Sequence, residues 1–410
     1  MSRTTPFPLP KLGIDNVTHE TRMKAGTVRR ADNVDIAPDG AFKRRAGFRL
    51  LEAGDFHSLW RNPVTGIVFV CRGSEVCVIG AGRQLFPIAT LPTSDPITYC
   101  EYNGATYWAH RRGLGWLPTD RSNGRAVGVP STWYEVLRES PGALPAGRYG
   151  VSVTAVDDRG EESAASPVEF IEVTQGGISV EGIVTDMPAV RVYITDANGE
   201  VLHQAIEAPA GLPIYTVAEC AKGGELDTRQ LRPMPGGQLV AGHAGRLYVA
   251  DGSTLWFSEA MRPHLNSPAH GYIEMTGRIT LLMAVHDGVY VGDQRGVWFL
   301  AGRDAGDLQP RLVNSAVALE RSGVLVEATA FNMQVVESNV PVVVWLTAEG
   351  YRAGKAGGDV VPLQADRLRV ARGAGRSSFV MRDGIKQVVS LVKSGLSARS
   401  EEHTSELQSP

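Results

Sequence analysis

YVADGSTLWF (Tyr248–Phe257) and YVGDQRGVWF (Tyr290–Phe299) share one plan: Tyr-Val, one residue, Asp, a four-residue link, then Trp-Phe. The two copies start 42 residues apart. In each, an aromatic and β-branched strand enters an Asp/Gly turn and returns as a second aromatic strand, which is the pattern of a β-hairpin. Four strands of about 5–6 residues with their turns fill about 40–45 positions, the length of one propeller blade. The spacing therefore predicts an all-β chain with a β-propeller-like repeat. The competing account is chance, since aromatic hairpins abound in all-β proteins.

Degenerate copies extend the repeat. One keeps the internal spacing at Phe69, Val70, Cys77 and Val78; another, one residue longer, runs through Tyr107, Trp108, Trp116 and Leu117. Weaker candidates are Val342–Trp345 with Glu349-Gly350-Tyr351 and Val360-Val361, and Ser378-Phe379-Val380, which turns at Asp383-Gly384 and returns through Val388-Val389. Tyr248, Asp251 and Trp256, with Tyr290, Asp293 and Trp298, are the structural positions of the strong pair. Asp at a hairpin turn accepts backbone N–H groups two residues on, and the tryptophans suit packing between blades. The functional alternative is a ring of acidic groups that repels phosphate from a channel.

Tyr107 and Tyr248 lie 141 residues apart, 99 more than one 42-residue period. That surplus matches a small independent domain. Inside it, Arg148–Val156 alternates strictly, Asp157–Gly160 reads as a turn, and Val168–Val173 and Val190–Thr195 are further strands, the last turning at Asp196–Gly199. Short strands at this spacing predict a β-sandwich. The run Gly147–Ser163 (GRYGVSVTAVDDRGEES) resembles the late strand pair of a fibronectin type III domain. That resemblance implies an inserted fibronectin type III-like β-sandwich used for binding or spacing, with no catalytic residues. The expected organisation is an N-terminal arm and hairpin at 1–50, first blades at 51–135, the inserted sandwich at 136–232, further blades at 233–398, and a tail at 399–410.

At 410 residues the chain can bury a large core or form two domains. A net charge of −3 with 21% charged residues does not mark a protein that coats nucleic acid. Helical patterning is nearly absent; the best helix candidate is Ser131–Glu139. No apolar run is long enough to span a membrane, and Met1–Pro10 lacks the basic and apolar regions of a secretion signal, so synthesis and assembly are expected in the cytoplasm. Four cysteines, at 71, 77, 100 and 220, are too few for a disulfide framework. Cys71 and Cys77 read as buried small hydrophobes, with facing across a hairpin as the alternative.

No catalytic, cofactor-binding or metal-binding set emerges. Gly350–Lys355 (GYRAGK) resembles a phosphate-binding loop only superficially: it is one residue short, no Ser or Thr follows, and it reads as a Gly-rich turn. His264 and His270 share the loop Met261–Gly271, too poor a ligand set for a metal. Asp157, Asp158, Glu161 and Glu162 read as a solvated turn, with a surface calcium site as the alternative. A glycosidase or lyase would need a carboxylate cluster at one ring face, and no spacing here requires one. The expectation is a protein that is not an enzyme and uses no cofactor.

The opening carries a family resemblance. Lys11–Val17 (KLGIDNV), Thr27–Ile36 (TVRRADNVDI), Asp39-Gly40 and Arg44–Phe48 (RRAGF) look like the start of a group of tailed-bacteriophage virion proteins, similar in layout to tail-nozzle or DNA-stabilisation proteins of the head–tail connector. Leu255–Leu265 and Gly277–Thr280 are similar to their propeller region. Ala46 departs from the usual Pro. The resemblance implies a virion structural protein of the tail or head–tail junction, assembled in the host cytoplasm. It implies portal and other tail proteins as partners, a homo-oligomeric ring, and a place for non-specific contact with packaged DNA; no membrane is involved. The alternative is a tail-associated receptor- or glycan-binding protein. Physically, Val34–Ile36, a turn at Pro38-Asp39-Gly40 and Phe42–Phe48 form a hairpin with Arg44 and Arg45 exposed, able to close a ring as its outer strand. Thr4–Pro10 reads as an extended arm. Asn33, Asp35, Arg44 and Arg45 are the assembly-arm candidates. Arg399–Pro410 (RSEEHTSELQSP) resembles a translated sequencing adapter, so a truncated final blade is expected.

Overall fold

Alternating β-branched and aromatic side chains favour extended backbone, and the chain follows that preference throughout. The computed structural model describes residues 9, 12–37, 39–45, 47, 49–118, 124–302, 307–327, 340–364, 367–382, 385–394 and 405–406. Among the described residues there is no α-helix, only short 3-10 turns between strands. The protein is all-β, built from many small antiparallel sheets in a propeller-like series.

Strands β1 (Val34–Ile36) and β2 (Phe42–Arg44) form a hairpin of their own. The first blade is β3 (Phe56–Arg61), β4 (Val68–Arg72), β5 (Glu75–Ile79) and β6 (Leu85–Thr90). The second is β7 (Thr98–Tyr102), β8 (Ala105–His110), β9 (Gly113–Leu117) and β10 (Arg125–Ala126). An inserted module follows: β11 (Val136–Leu144), β12 (Gly147–Val156), β13 (Glu169–Val173), β14 (Gly176–Glu181), β15 (Ala189–Thr195), β16 (Leu202–Pro209) and β17 (Ile214–Val217). After β18 (Arg232–Pro233) comes the third blade, with β19 (Leu239–His243), β20 (Arg246–Asp251) and β21 (Thr254–Phe257). Next, β22 (Leu265–Asn266) pairs back onto β18, and β23 (Tyr272–Glu274) completes that blade. The fourth blade is β24 (Leu281–Val285), β25 (Gly288–Asp293), β26 (Gly296–Ala301) and β27 (Gln309–Asn314). The fifth is β28 (Val324–Val326), β29 (Val342–Thr347), β30 (Gly350–Gly354) and β31 (Val360–Pro362). A long hairpin, β32 (Gly373–Arg382) and β33 (Ile385–Ser394), stands next, with Ser405–Glu406 paired on its edge.

Strand alternation explains how blades stack. In the third blade, Tyr248, Ala250, Leu255 and Phe257 share one face and pack on Leu282, Val289, Val291 and Leu300 of the fourth. Leu247 and Val249 point the other way, onto Tyr102, Tyr107 and Leu114 of the second. In the fourth, Tyr290 and Phe299 repeat the forward role against Val343 and Trp345 of the fifth. First strands stand together near the centre: β19 lies between β7 and β24, and β28 lies beside β32.

The inserted module is a two-sheet sandwich of order β11-β14-β17 and β13-β12-β15-β16. Leu144, Ile178, Val180, Tyr215 and Val217 of the first sheet meet Tyr149, Val151, Val153, Val190, Val192 and Ile194 of the second in one buried core. Fully burying each Val or Ile contributes about 1.5–3 kcal/mol, so the module carries its own hydrophobic centre.

Several sequence expectations change. Ser131–Glu139 is no helix; β11 starts at Val136 and pairs with β14, so cross-strand partners override local propensity. Gly350–Gly354 is a strand zipped onto Val343–Thr347, not a turn. Tyr107 pairs with Trp116 as Tyr248 pairs with Phe257, so the second-blade copy is not one residue longer: Trp116 takes the Phe257 place and Gly115 the Trp256 place. Gly147–Val156 is the second strand of the module, bordered by β13 and β15, and not part of a late pair. Among the described residues the β1–β2 hairpin joins no blade. The Val342–Val361 and Ser378–Val389 candidates do form sheets. Thr4–Pro8, Pro10, Lys11, Pro38, Ala46, Phe48, Asp383-Gly384 and most of the tail lie outside the described residues.

Candidate functional site

The repeat positions are equivalent in register. Val249 faces Trp256 and Asp251 faces Thr254, as Val291 faces Trp298 and Asp293 faces Gly296. Trp256 packs on the cluster shared with the second blade and Trp298 on the cluster shared with the third, so both serve backward blade contacts. Tyr248 and Tyr290 serve the forward ones. The aspartates diverge. Asp293 is fully buried, accepts the Arg295 N–H at 2.8 Å and takes the Thr276 hydroxyl at 2.5 Å. Burial pushes its pKa up, but these bonds win and hold it below the usual carboxylate range. Asp251 is exposed. One buried and one exposed carboxylate do not make an acidic ring.

Among the assembly-arm candidates, Arg45 is half-buried on Asp35 at 3.0 Å, so it is not the exposed cation expected; Arg44 is exposed. Asn33 takes a positive φ of 60° and its carbonyl accepts the Arg45 N–H at 2.9 Å. Upstream, the Asn16 amide donates to the Arg369 carbonyl at 2.9 Å and accepts the Arg369 N–H at 2.7 Å, so the opening segment is fastened to the connection after the fifth blade of its own chain.

The acidic turn of the sandwich is where the module meets the ring. Asp157 accepts the N–H groups of Arg159 (2.9 Å) and Glu161 (2.8 Å). The Arg159 guanidinium bridges Asp157 at 2.8 Å and Glu161 at 2.6 Å and lies 4.5 Å over the Trp116 ring of the second blade. Asp158 pairs with Arg125 of the same blade at 3.0 Å. Glu162 accepts the hydroxyls of Thr154 (2.5 Å) and Tyr193 (2.7 Å) and pairs with Arg191 at 2.9 Å. Its carbonyl accepts Nε2–H of buried His264, which the third blade supplies, at 2.9 Å. The turn is thus a clamp whose Asp158, Arg159 and Gly160 remain exposed, as a solvated turn requires; among the described residues no three His, Cys, Asp or Glu side chains gather as metal ligands.

A second cluster escaped sequence reasoning. Asp95 lies just ahead of β7, Gln238 ahead of β19, Arg278 ahead of β24, and Glu320 and Arg321 ahead of β28, so all mark the starting end of a blade's first strand, one mouth of the propeller-like series. Arg278 reaches Glu320 at 2.8 Å and Gln238 at 3.3 Å. Arg376, on β32, donates to the Ile97 carbonyl at 3.3 Å, so the last hairpin and the second blade meet over this mouth. Arg376 keeps solvent contact, yet desolvation first, then the charge of Arg321, lower its pKa to about 10. Arg321 is likewise lowered by burial, with Arg278 and Arg111 adding to the shift.

No protein-family model matches the chain, and neither does any curated protein. Among solved structures, it is similar to BBS1N in complex with ARL6DN (12% identity, 83% of this chain, 90% of that chain, TM-score 0.32). It is also similar to the Neurospora crassa Pan2 WD40 domain (8% identity, 82% and 85% covered, TM-score 0.34). A third is virginiamycin B lyase from Staphylococcus aureus (8% identity, 82% and 91% covered, TM-score 0.29).

Proposed function

We propose that the chain is a non-catalytic structural protein of a bacteriophage virion, placed in the tail or at the head–tail junction, with a propeller that carries a fibronectin type III-like module. The resemblance of the opening motifs supplies the phage context. The observation that carries the architectural reading is the clamp: Arg125, Trp116 and His264 of two blades hold one turn of the sandwich. Such bracing fixes a module at a set angle, as a load-transmitting part requires. In this reading subunits assemble with portal and other tail proteins in the host cytoplasm, form a symmetric ring in the virion, and meet packaged DNA without sequence preference. Cryo-electron microscopy of purified virions, with co-purification of the chain and portal, tests this. Density below the portal and a stable complex are the expected results. A chain that ignores portal and binds host polysaccharide would establish the receptor-binding alternative instead.

A further inference from the structure

We propose that the mouth of the ring binds a phosphate-type oxyanion between Arg321 and Arg376, with Arg278 and Arg111 strengthening the local field. The inference goes beyond the virion reading and stands whatever assembly the chain belongs to. The Gly375 N–H donates to the Glu320 carbonyl at 2.8 Å and Glu320 bridges Ala374, so the segments carrying Arg321 and Arg376 lie side by side; Arg278 and Arg111 add to the positive field there, against Glu320 and Asp95. Glu320 is already taken by Arg278 at 2.8 Å and lies 3.8 Å from Arg321 Nε, too far for a hydrogen bond. Asp95 is engaged by the Thr93 hydroxyl at 3.3 Å. Arg321 Nε is enclosed with no hydrogen-bond partner. Arg376 donates to a carbonyl and not to a carboxylate. The other groups near Arg376, Tyr99 and Cys71, are held neutral by burial. Arg321 also takes φ 61°, a left-handed backbone that is strained for a side-chain-bearing residue. The exposed Arg376 fork, with the enclosed and unpartnered Arg321 Nε beside it, supplies the planar, multidentate donors that suit a phosphate.

Free phosphate and the phosphodiester of a nucleic-acid strand share this chemistry. The intact chain is titrated calorimetrically with inorganic phosphate and pyrophosphate, and by fluorescence anisotropy with an oligothymidylate of about ten nucleotides across a salt series. Saturable binding of one probe per chain is expected. It should weaken at least about tenfold in Arg321→Gln and in Arg376→Gln, with Arg138→Gln on the sandwich as the unchanged control. Preference for the small anions identifies a free oxyanion as the source; tight, steeply salt-dependent oligothymidylate binding identifies a strand. If the arginine variants fail a near-ultraviolet circular dichroism check of folding, Glu320→Gln replaces them and should tighten binding. Absence of saturable binding by all three probes at millimolar concentration, folded arginine variants that bind as well as the parent, or a Glu320→Gln variant with no gain overturns the proposal.

Discussion

Tyr290 joins the fourth and fifth blades, and its removal offers a graded test of how the ring is held. The side chain is fully buried, its ring centroid 4.9 Å from Phe299 and 5.5 Å from Trp345. Its hydroxyl donates to the Lys355 carbonyl at 2.5 Å, with the Asp359 carbonyl at 3.3 Å. Tyr290→Phe keeps the ring and removes the donor, for an expected loss of about 1–2 kcal/mol. Tyr290→Ala adds the transfer and cavity terms of a buried aromatic, about 3–5 kcal/mol. Tyr272 supplies the contrast: it is 43% exposed, on an edge strand, and its ring centroid lies 5.4 Å from that of Trp256. Tyr272→Ala should therefore cost less than about 1.5 kcal/mol. Urea unfolding followed by tryptophan fluorescence reads all three as midpoint shifts at constant slope. If Tyr290→Ala moves the midpoint no more than Tyr272→Ala, the blade-to-blade aromatic column does not hold the ring.

Other outcomes are expected from single contacts. A Cβ at Gly354 would stand 2.6 Å from Tyr290 Cζ and 2.7 Å from Trp345 Cζ3, so Gly354→Ala should overpack the same seam by about 1–3 kcal/mol, seen as a lower Tm by calorimetry. Glu162→Ala strips Thr154, Tyr193 and Arg191 of one shared acceptor. It should destabilise the sandwich by about 2–4 kcal/mol, while hydrogen exchange at the His264 contact, which uses the Glu162 backbone, stays protected. Burial holds the His243 pKa below its ordinary value, outweighing the Gly302 carbonyl that favours the charged form. Its neutral form is thus the stable one: stability is complete above about pH 6.5 and falls as pH drops through the folded value, a limb that His243→Gln should flatten. The lowered Asp293 carboxylate contributes stability above about pH 3.9 that is lost as pH falls through its folded value; Asp293→Asn should remove that limb in the same urea series.

What was readable in the sequence is what strand geometry writes with period two. Tyr248 and Tyr290 declared equivalent hairpins because a buried face allows no slip of register, and Arg148–Val156 declared its strand for the same reason. Ser131–Glu139 misled because Glu, Leu and Arg suit a helix when considered alone, whereas Leu137 and Arg138 are fixed by Val180 and Ser179 across the sheet. Gly350–Gly354 looked like a turn because two glycines dominate it; the pairing that makes it a strand comes from β29. The clamp was half visible: the acidic turn was plain, but nothing local says that His264 arrives from a different blade. The arginine mouth was hidden because Arg321 and Arg376 belong to no motif and Arg278 stood only within Gly277–Thr280, where the resemblance assigned it no role. The available signal was positional, a charged or amide side chain recurring just ahead of successive first strands, and it becomes legible only once those strands are aligned.

The sandwich enters the chain after β10, at the rim of one blade, and the chain returns to the centre at β19 of the next. Every blade change demands such a rim-to-hub passage, so length added there disturbs no strand pairing. The passage acts as a socket: cargo of almost any size can be grafted into it provided its two ends meet, while the hub keeps its spacing. Diversification of this architecture should therefore concentrate in such crossings, with the blades themselves exchanging side chains only in matched pairs across a seam.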